Sequence, residues 1–342
     1  MEEPLSAAPA AGREDTGDEL VVEQRGTVAT LTLNRPARLN ALSFGMLRDL
    51  RERLDAWERD DRVRTVVLRG AGGKAFCAGG DLRTFHEAMR AGADSQREYF
   101  AVEYALDYRI HTYPKPVVAV MDGIVMGGGM GLAQGASLRI VTDRTRMAMP
   151  ETAIGLFPDV GGSWFLSRVP GEIGTYLGLV GPTIGAADAI YCGLADLHLG
   201  APLPAPELEA LRPAIDRHFA HDSVAAILGS LESEDRPECR EWAGRTLEAL
   251  HKRSPTMLVV TLEQLRRGAK LSLAECFRME LNLVHGALEH GDFLEGVRAV
   301  IVEKDNRPRW RPERLAEVDP AAVRKFFAPR WSASQHPLAS IP

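Results

Sequence analysis

Two carboxylates, Glu151 and Asp159, stand eight positions apart in MPETAIGLFPDVGG (149–162), a stretch that also holds two prolines and three glycines. Proline fixes φ and glycine frees it, so the pattern reads as an irregular loop. Two acids near one substrate can serve as general base and acid, or one can attack as a nucleophile, and their proximity pushes one pKa up. Two glycine runs, AGGKAFCAGG (71–80) and GIVMGGGMG (123–131), offer a complementary chemistry. A glycine run between a strand and a helix presents backbone N–H groups that no side chain covers, where an oxyanion can bind. Donors from both runs would make a two-donor hole of the kind used in acyl transfer. The simpler readings are tight turns and close packing for the glycines, a helix cap for Asp159 and a partner for a short turn's dipole for Glu151.

Spacing excludes other chemistries. Gly161-Gly162-Ser163-Trp164-Phe165 lacks the last glycine of a G-x-S-x-G elbow. GAGGK (70–74) has no glycine at 68 and no Ser or Thr after Lys74, and GGGMGLAQG fails the dinucleotide pattern at Gln134. The nine histidines never form H-E-x-x-H or H-x-H, and Cys77, Cys192, Cys239 and Cys276 form no C-x-x-C pair, so neither a metal nor a disulfide framework is expected. A net charge of −6 argues against nucleic acid as a partner. No apolar run approaches the roughly 20 residues of a membrane span. The acidic, Ala/Pro-rich opening MEEPLSAAPAAGREDTGDEL lacks the basic start and apolar centre of a secretory signal, and transit peptides avoid acids. Residues 1–18 therefore read as a disordered leader and the protein as cytoplasmic.

The elements that must position these residues alternate. ELVVEQRGTVATLTLNR reads as a hairpin about Arg25-Gly26, LSFGMLRDLRERLDAWERD as a helix and VRTVVLRG as a buried strand. A glycine loop follows, with Asp81 placed to cap the helix LRTFHEAMR. The order returns as helix REYFAVEYALDYRIHTY, strand VVAVMD, glycine loop and helix LAQGASLRI, and again as strand RIVTD, edge segment RMAMP, the acidic loop and a helix GGSWFLSRV that Asp159 could cap. Repeated strand–loop–helix units predict an α/β core over 19–200. After a Pro-rich break, LGAPLPAPELEALRP, residues 201–342 read as a helical region.

KAFCAGGD (74–81), GIVMGGGMGL (123–132) and LNRPARLNALS (33–43) resemble the crotonase (enoyl-CoA hydratase/isomerase) superfamily. Within it, MPETAIGLFPDVGG, SPTML (254–258) and DFLEGVRAVIVEKDNRPRW (292–310) resemble the 3-hydroxyisobutyryl-CoA hydrolase branch, over roughly residues 20 to 327. The resemblance implies a crotonase-like fold of repeated ββα units with a helical C-terminal region. It implies an acyl-CoA substrate whose thioester carbonyl meets the N–H groups of Gly80 and Gly128. Ala78, Gly79, Asp81, Leu82, Gly127 and Arg38, with Arg35, match positions that hold the substrate, and Glu103 matches a further acid of the hydrolases. Asp81 has capping as its simpler role, and Glu103 a solvated helix face.

The same resemblance distinguishes members by their acids. Hydratases pair the glutamate of the P-E motif with one at the place of Gly131, whereas hydrolases keep the first, Glu151, and add an acid eight residues on, Asp159. This implies hydrolysis, with Glu151 as base or as nucleophile through a mixed anhydride, Asp159 orienting the 3-hydroxyl, carboxylate or water, and no cofactor beyond the CoA of the substrate. An enoyl-CoA hydratase or isomerase, and a non-catalytic acyl-CoA-binding member, stay open as alternatives. A homo-oligomer is the superfamily's tendency. Phe157, Trp164, Tyr104 and Met126 are candidates for the pocket wall.

Overall fold

The computed structural model describes residues 12–16, 19–90 and 95–342. Most of the expected leader lies outside these residues. Its segment Gly12–Thr16 (β1) is instead an edge strand, paired antiparallel through its backbone with β2 (Leu20–Arg25). The hairpin closes between Arg25 and Val28, the start of β3 (Val28–Leu33), where Gly26 takes φ +59°. From β3 onward the main sheet is parallel, through β4 (Thr65–Gly70), β6 (Val117–Met121), β8 (Leu138–Thr142) and β10 (Leu197–Leu199). A second, three-stranded parallel sheet holds β5 (Ala75–Cys77), β7 (Ile124–Met126) and β9 (Arg146–Ala148). Each successive pair, β4 with β5, β6 with β7 and β8 with β9, sends its first strand to the large sheet and its second to the small one before a helical piece. This is the ββα repeat, and valine-rich β4 and β6 suit the interior of a parallel sheet.

The helices of the first half are α1 (Phe44–Glu58), α2 (Leu82–Arg90), α3 (Ser95–His111), α4 (Gly128–Gln134), α5 (Gly162–Phe165), α6 (Ile173–Val180) and α7 (Ala186–Tyr191). Those of the second are α8 (Glu207–Phe219), α9 (Val224–Glu232), α10 (Pro237–His251), α11 (Pro255–Gly268), α12 (Leu273–His290), α13 (Asp292–Val297) and α14 (Pro320–Phe326). Ser43 caps α1 by accepting from Met46 N at 3.1 Å, and Met46, Leu47, Leu50, Leu54 and Trp57 turn one face of it into the core.

Three local expectations change. The helix expected at 132–140 begins in the glycine run and ends at Gln134, and Leu138 already belongs to β8. Strand pairing decides this: Leu138, Arg139 and Ile140 pair in parallel with Val118, Ala119 and Val120 of β6, which takes them out of the helix. The Pro-rich break is shorter than expected, since α8 starts at Glu207 and runs through Pro213. Both glycine runs contain a short strand, β5 and β7. Helices α6 and α7 of the first half pack on α8, α11 packs on α5 and α6, and α12 lies along α3, so both halves share one apolar core. Among the described residues no helix is long and apolar enough to cross a membrane.

Candidate active site

The two glycine runs touch. Gly79 (φ +99°) and Gly127 (φ +50°) adopt backbone conformations that favour glycine, and a methyl group on Gly79 would lie 3.4 Å from Gly128 N. The strip 78–82 is held against the loop 39–42: Ala78 N donates to Leu39 O at 3.0 Å, Leu42 N to Gly79 O at 2.8 Å and Asp81 N to Leu42 O at 3.0 Å. Behind it Asn40, fully buried, donates to Ala71 O (3.0 Å) and Ala75 O (2.8 Å) and accepts from Arg35 N (2.9 Å). This bracket explains why an asparagine with φ +57° stands in the LNALS segment. Neither Gly80 N–H nor Gly128 N–H donates to a backbone carbonyl outside its own helix or strand among the described residues.

Three acids gather beside these donors. Glu151 opens the turn Glu151–Ile154, and its Oε1 lies 3.2 Å from where a methyl group on Gly127 would sit. A methyl group on Gly128 would collide with Glu103 Oε1. Asp159 accepts from the Tyr104 hydroxyl at 2.7 Å. All three acids are buried, against the reading of Glu103 as a solvated face, and Glu103 Oε1 and Glu151 Oε2 have no hydrogen-bond partner among the described residues. A fourth buried acid, Asp107, sits one turn after Glu103 on α3, with neither oxygen hydrogen-bonded. Its Oδ2 lies 2.6 Å, and Val160 Cβ 2.7 Å, from where a methyl group on Gly131 would sit. Residue 131 therefore has no room for a glutamate.

Burial, and then the charge of Asp159, hold the Glu151 carboxyl well above the usual carboxylate range. The same two causes raise Glu103, against a hydrogen bond from Tyr99. Burial raises Asp107, followed by Glu103, Asp159 and Glu280. Asp159 is pushed up to about 6 by burial, opposed by hydrogen bonds from Tyr104 and from its own N–H. A carboxylate with a raised pKa is a stronger base once ionised, which suits proton abstraction near neutral pH. Burial pushes the neighbouring Cys77 thiol up to about 12, which removes it as a nucleophile.

The C-terminal helices seat the acidic loop. Asp159 does not cap a helix starting at Val160, as the sequence allowed. Val160 (φ +51°) and Gly161 (φ +87°) are left-handed, α5 begins only at Gly162, and the N–H groups of the N-cap Gly161 and of Ser163 go to Glu280 of α12, while Gly162 N donates to the Asp159 carbonyl. Glu280 Oε2 accepts from Gly161 N at 2.8 Å, and its Oε1 accepts from Ser163 N at 2.9 Å and from the Ser163 hydroxyl. Gln264 of α11 donates to Pro158 O at 2.6 Å and to Ser163 Oγ at 3.0 Å. Ser254 N donates to Thr152 O at 3.3 Å. Methyl groups on Gly155 and Gly296 would collide with the Asp292 and Ile154 backbones, so α13 lies directly on the Glu151 turn. The SPTML and DFLEG segments thus serve the site by holding its loop.

On the outer side Asp81 joins two roles. Its Oδ1 accepts from Thr84 N at 3.3 Å, capping α2, while its Oδ2 pairs with Arg35 at 2.7 Å and Arg38 at 2.9 Å. Burial raises its pKa, but the arginine and Thr84 bonds outweigh this and hold it below the usual range. Arg35, Arg38, Leu42, Phe44, Asp81, Phe85 and Tyr99 line a cavity of about 330 Å³ next to the glycine strip, with Leu82 packed on the core. A larger cavity, about 1000 Å³ between α6, α9, α11 and α14, contains none of the candidate residues. Of the pocket-wall candidates, Tyr104 reaches the acids; Phe157 is buried in the core, Trp164 lies under the Arg168 guanidinium (3.3 Å), and Met126 presents its carbonyl to Gly79. Among the described residues no three His, Cys, Asp or Glu side chains converge as a metal-binding group.

A family model for enoyl-CoA hydratase/isomerase matches residues 28–202 and 197–327. The chain is 40% identical over 351 residues to the mitochondrial 3-hydroxyisobutyryl-CoA hydrolase of Gallus gallus, covering 92% of this chain and 90% of that one. It is 38% identical over 354 residues to 3-hydroxyisobutyryl-CoA hydrolase 1 of Arabidopsis thaliana, covering 90% and 91%. Its fold superimposes on a carnitinyl-CoA dehydratase from Mycobacterium thermoresistibile (TM-score 0.86, 41% identity, 92% and 97% covered) and an enoyl-CoA hydratase from Rhodobacter sphaeroides (TM-score 0.86, 38% identity, 91% and 98% covered). With a model matching nearly the whole described core and relatives aligned over nine-tenths of its length, the chain belongs to the enoyl-CoA hydratase/isomerase family.

Proposed function

We propose that the protein is a CoA-thioester hydrolase that cleaves 3-hydroxyisobutyryl-CoA to 3-hydroxyisobutyrate and CoA, a step of valine breakdown. The observation that carries the reading is a single buried loop that brings Glu151 against Gly127 and Asp159 within reach of Tyr104, while the space at residue 131 is filled by Asp107 and Val160. A hydratase's second glutamate has no place there. Relatives of that name, similar over nine-tenths of the chain, support the substrate.

The thioester oxygen accepts from Gly80 N–H and Gly128 N–H, which stabilise the oxyanion of the tetrahedral intermediate. Glu151 either takes a proton from water as that water attacks the carbonyl carbon, or attacks it directly to give a mixed anhydride that water then opens. In both routes the C–S bond breaks and sulfur leaves with the electron pair. Asp159, held by Tyr104, orients the 3-hydroxyl or the attacking water, with Glu103 beside the acyl group. Ala78, Gly79, Asp81, Leu82 and Gly127 shape the acyl-CoA path, and Arg35 and Arg38 face the CoA moiety. Residues 19–200 carry the site and 201–342 hold it.

The proposal includes no cofactor beyond the substrate's CoA, no nucleic-acid partner and a homo-oligomeric state. It also includes a cytoplasmic location, although the Gallus relative is mitochondrial by name. Purified protein given 3-hydroxyisobutyryl-CoA and a thiol reagent is expected to release CoA. No release, with hydration of crotonyl-CoA instead, overturns the hydrolase in favour of a hydratase; binding without either reaction favours a non-catalytic member.

A further inference from the structure

We infer that Glu280 is a positioning residue for the reaction: from α12 it holds the backbone that aims Asp159, and this deepens, and rests on, the hydrolase reading. Glu280 is 0% exposed and lies more than a hundred residues from the loop it serves. Its carboxyl accepts from Gly161 N, Ser163 N and the Ser163 hydroxyl. Between them Gly162 N donates to Asp159 O at 2.7 Å, so the carbonyl of Asp159 and the N–H groups of Gly161, Gly162 and Ser163 all have partners.

Nothing local supplies this order. A four-residue helix gains too few internal hydrogen bonds to hold itself. Val160 is β-branched and sits at φ +51°, a conformation such residues enter only when surrounding contacts over-determine it. Glu280 and Gln264 are those contacts: Gln264 holds Pro158 O, Glu280 holds Gly161 N and Ser163 N, and both meet at the Ser163 hydroxyl. Glu280 hydrogen-bonds the loop backbone and the Ser163 hydroxyl, and none of these bonds reaches Glu151, Gly80 or Gly128. Its route to the chemistry through hydrogen bonds is the backbone next to Asp159, while its charge also bears on Tyr104 and Asp107. Burial pushes its carboxyl up to about 8 despite the three donors, with the charge of Asp159 adding to the rise.

Glu280→Gln keeps the shape of the side chain and fixes an NH2 where the carboxyl, titrating at about 8, can offer a bare oxygen to its donors, so the comparison is made above that pH. The expected result is a kcat for thioester cleavage reduced about tenfold to a hundredfold, the range that a misplacement near 1 Å brings, with KM changed less than about threefold. In an Asp159→Asn background the same substitution is expected to cost little more. Losses that multiply independently would mean that Glu280 supports the fold at large, and an unchanged kcat would mean that it does not position Asp159; either overturns the inference. Should Glu280→Gln not fold, Ser163→Ala removes the hydroxyl contact to Glu280 together with the Gln264 bond to that hydroxyl and enters the same cycle, with a several-fold loss expected and Gln264→Ala as the control for the second bond. If the wild-type protein releases no thiol, the hydrolase reading fails separately. Amide hydrogen exchange then decides: selective loss of protection at Gly161 and Ser163 in Glu280→Gln supports the clamp, and unchanged protection refutes it.

Discussion

Tyr104→Phe isolates one hydroxyl in the site. The ring is 0% exposed, with its centroid 5.9 Å from those of Phe100 and Phe277, so phenylalanine keeps the packing. What disappears is the 2.7 Å hydrogen bond to Asp159 Oδ2. Burial holds the tyrosine pKa well above its ordinary value, so the hydroxyl remains a donor throughout the working pH range. A hydrogen bond to an ionised group contributes about 1.5–3 kcal/mol, and 1.36 kcal/mol corresponds to one pH unit. Asp159, at about 6 with the bond in place, should rise by about one to two units without it. At pH 7 its ionised fraction would fall from about nine-tenths to about half or less. In a thiol-release assay the acidic limb of kcat/KM against pH is expected to move up by that amount, with activity recovering on the alkaline side. An acidic limb that stays in place refutes the claim that Tyr104 holds Asp159 as an ionised group; activity lost equally at every pH refutes it differently, by giving the hydroxyl another role.

Glu151→Gln keeps the size of the side chain but removes the base, and turnover should fall about 10²- to 10⁴-fold while a CoA ester still binds by calorimetry. Gly127→Ala places a methyl group 3.2 Å from Glu151 Oε1 at φ +50°; a strain of about 1–3 kcal/mol should lower kcat about tenfold or more, with the circular dichroism spectrum unchanged. Asp159 and Glu280 keep their protons in the folded state up to about 6 and about 8, whereas carboxyls of an unfolded chain titrate near 4. The folded protein therefore binds more protons in that window, its stability falls as pH rises from about 4 to about 8, and Asp159→Asn should flatten the dependence of the melting temperature on pH.

Much of the scaffold was legible because it depends on local pattern. Valine-rich runs bounded by glycine and proline marked β4 and β6, helical spacing marked α1, and Asp81 before an amphipathic helix marked a real cap. Asp159 before Val160 looked equally like a cap and is not one, because a carboxylate from α12 takes the N–H groups first. The signal for that competitor was present: Glu280 stands at helical spacing among Phe277, Leu281 and Val284, an acid on an apolar face. Glu103 and Asp107 repeat the pattern on α3 beside Phe100 and Tyr104. A charge on a stripe that must be buried is expensive unless something compensates it, and such positions are worth treating as site candidates.

By itself the sequence determined the repeated strand–loop–helix order, the glycine runs and the acid pair Glu151 and Asp159, since backbone freedom, periodicity and residue type act over a few positions. Only the tertiary structure decided that Gly79 meets Gly128, that Glu103 joins the acids, that Asp107 and Val160 close the space at Gly131, and that Tyr104, Gln264 and Glu280 fix the loop. Those contacts join segments as many as 119 residues apart. Their partners are chosen by which buried donor or acceptor the packed helices leave unpaired, a condition that no local window of residues contains.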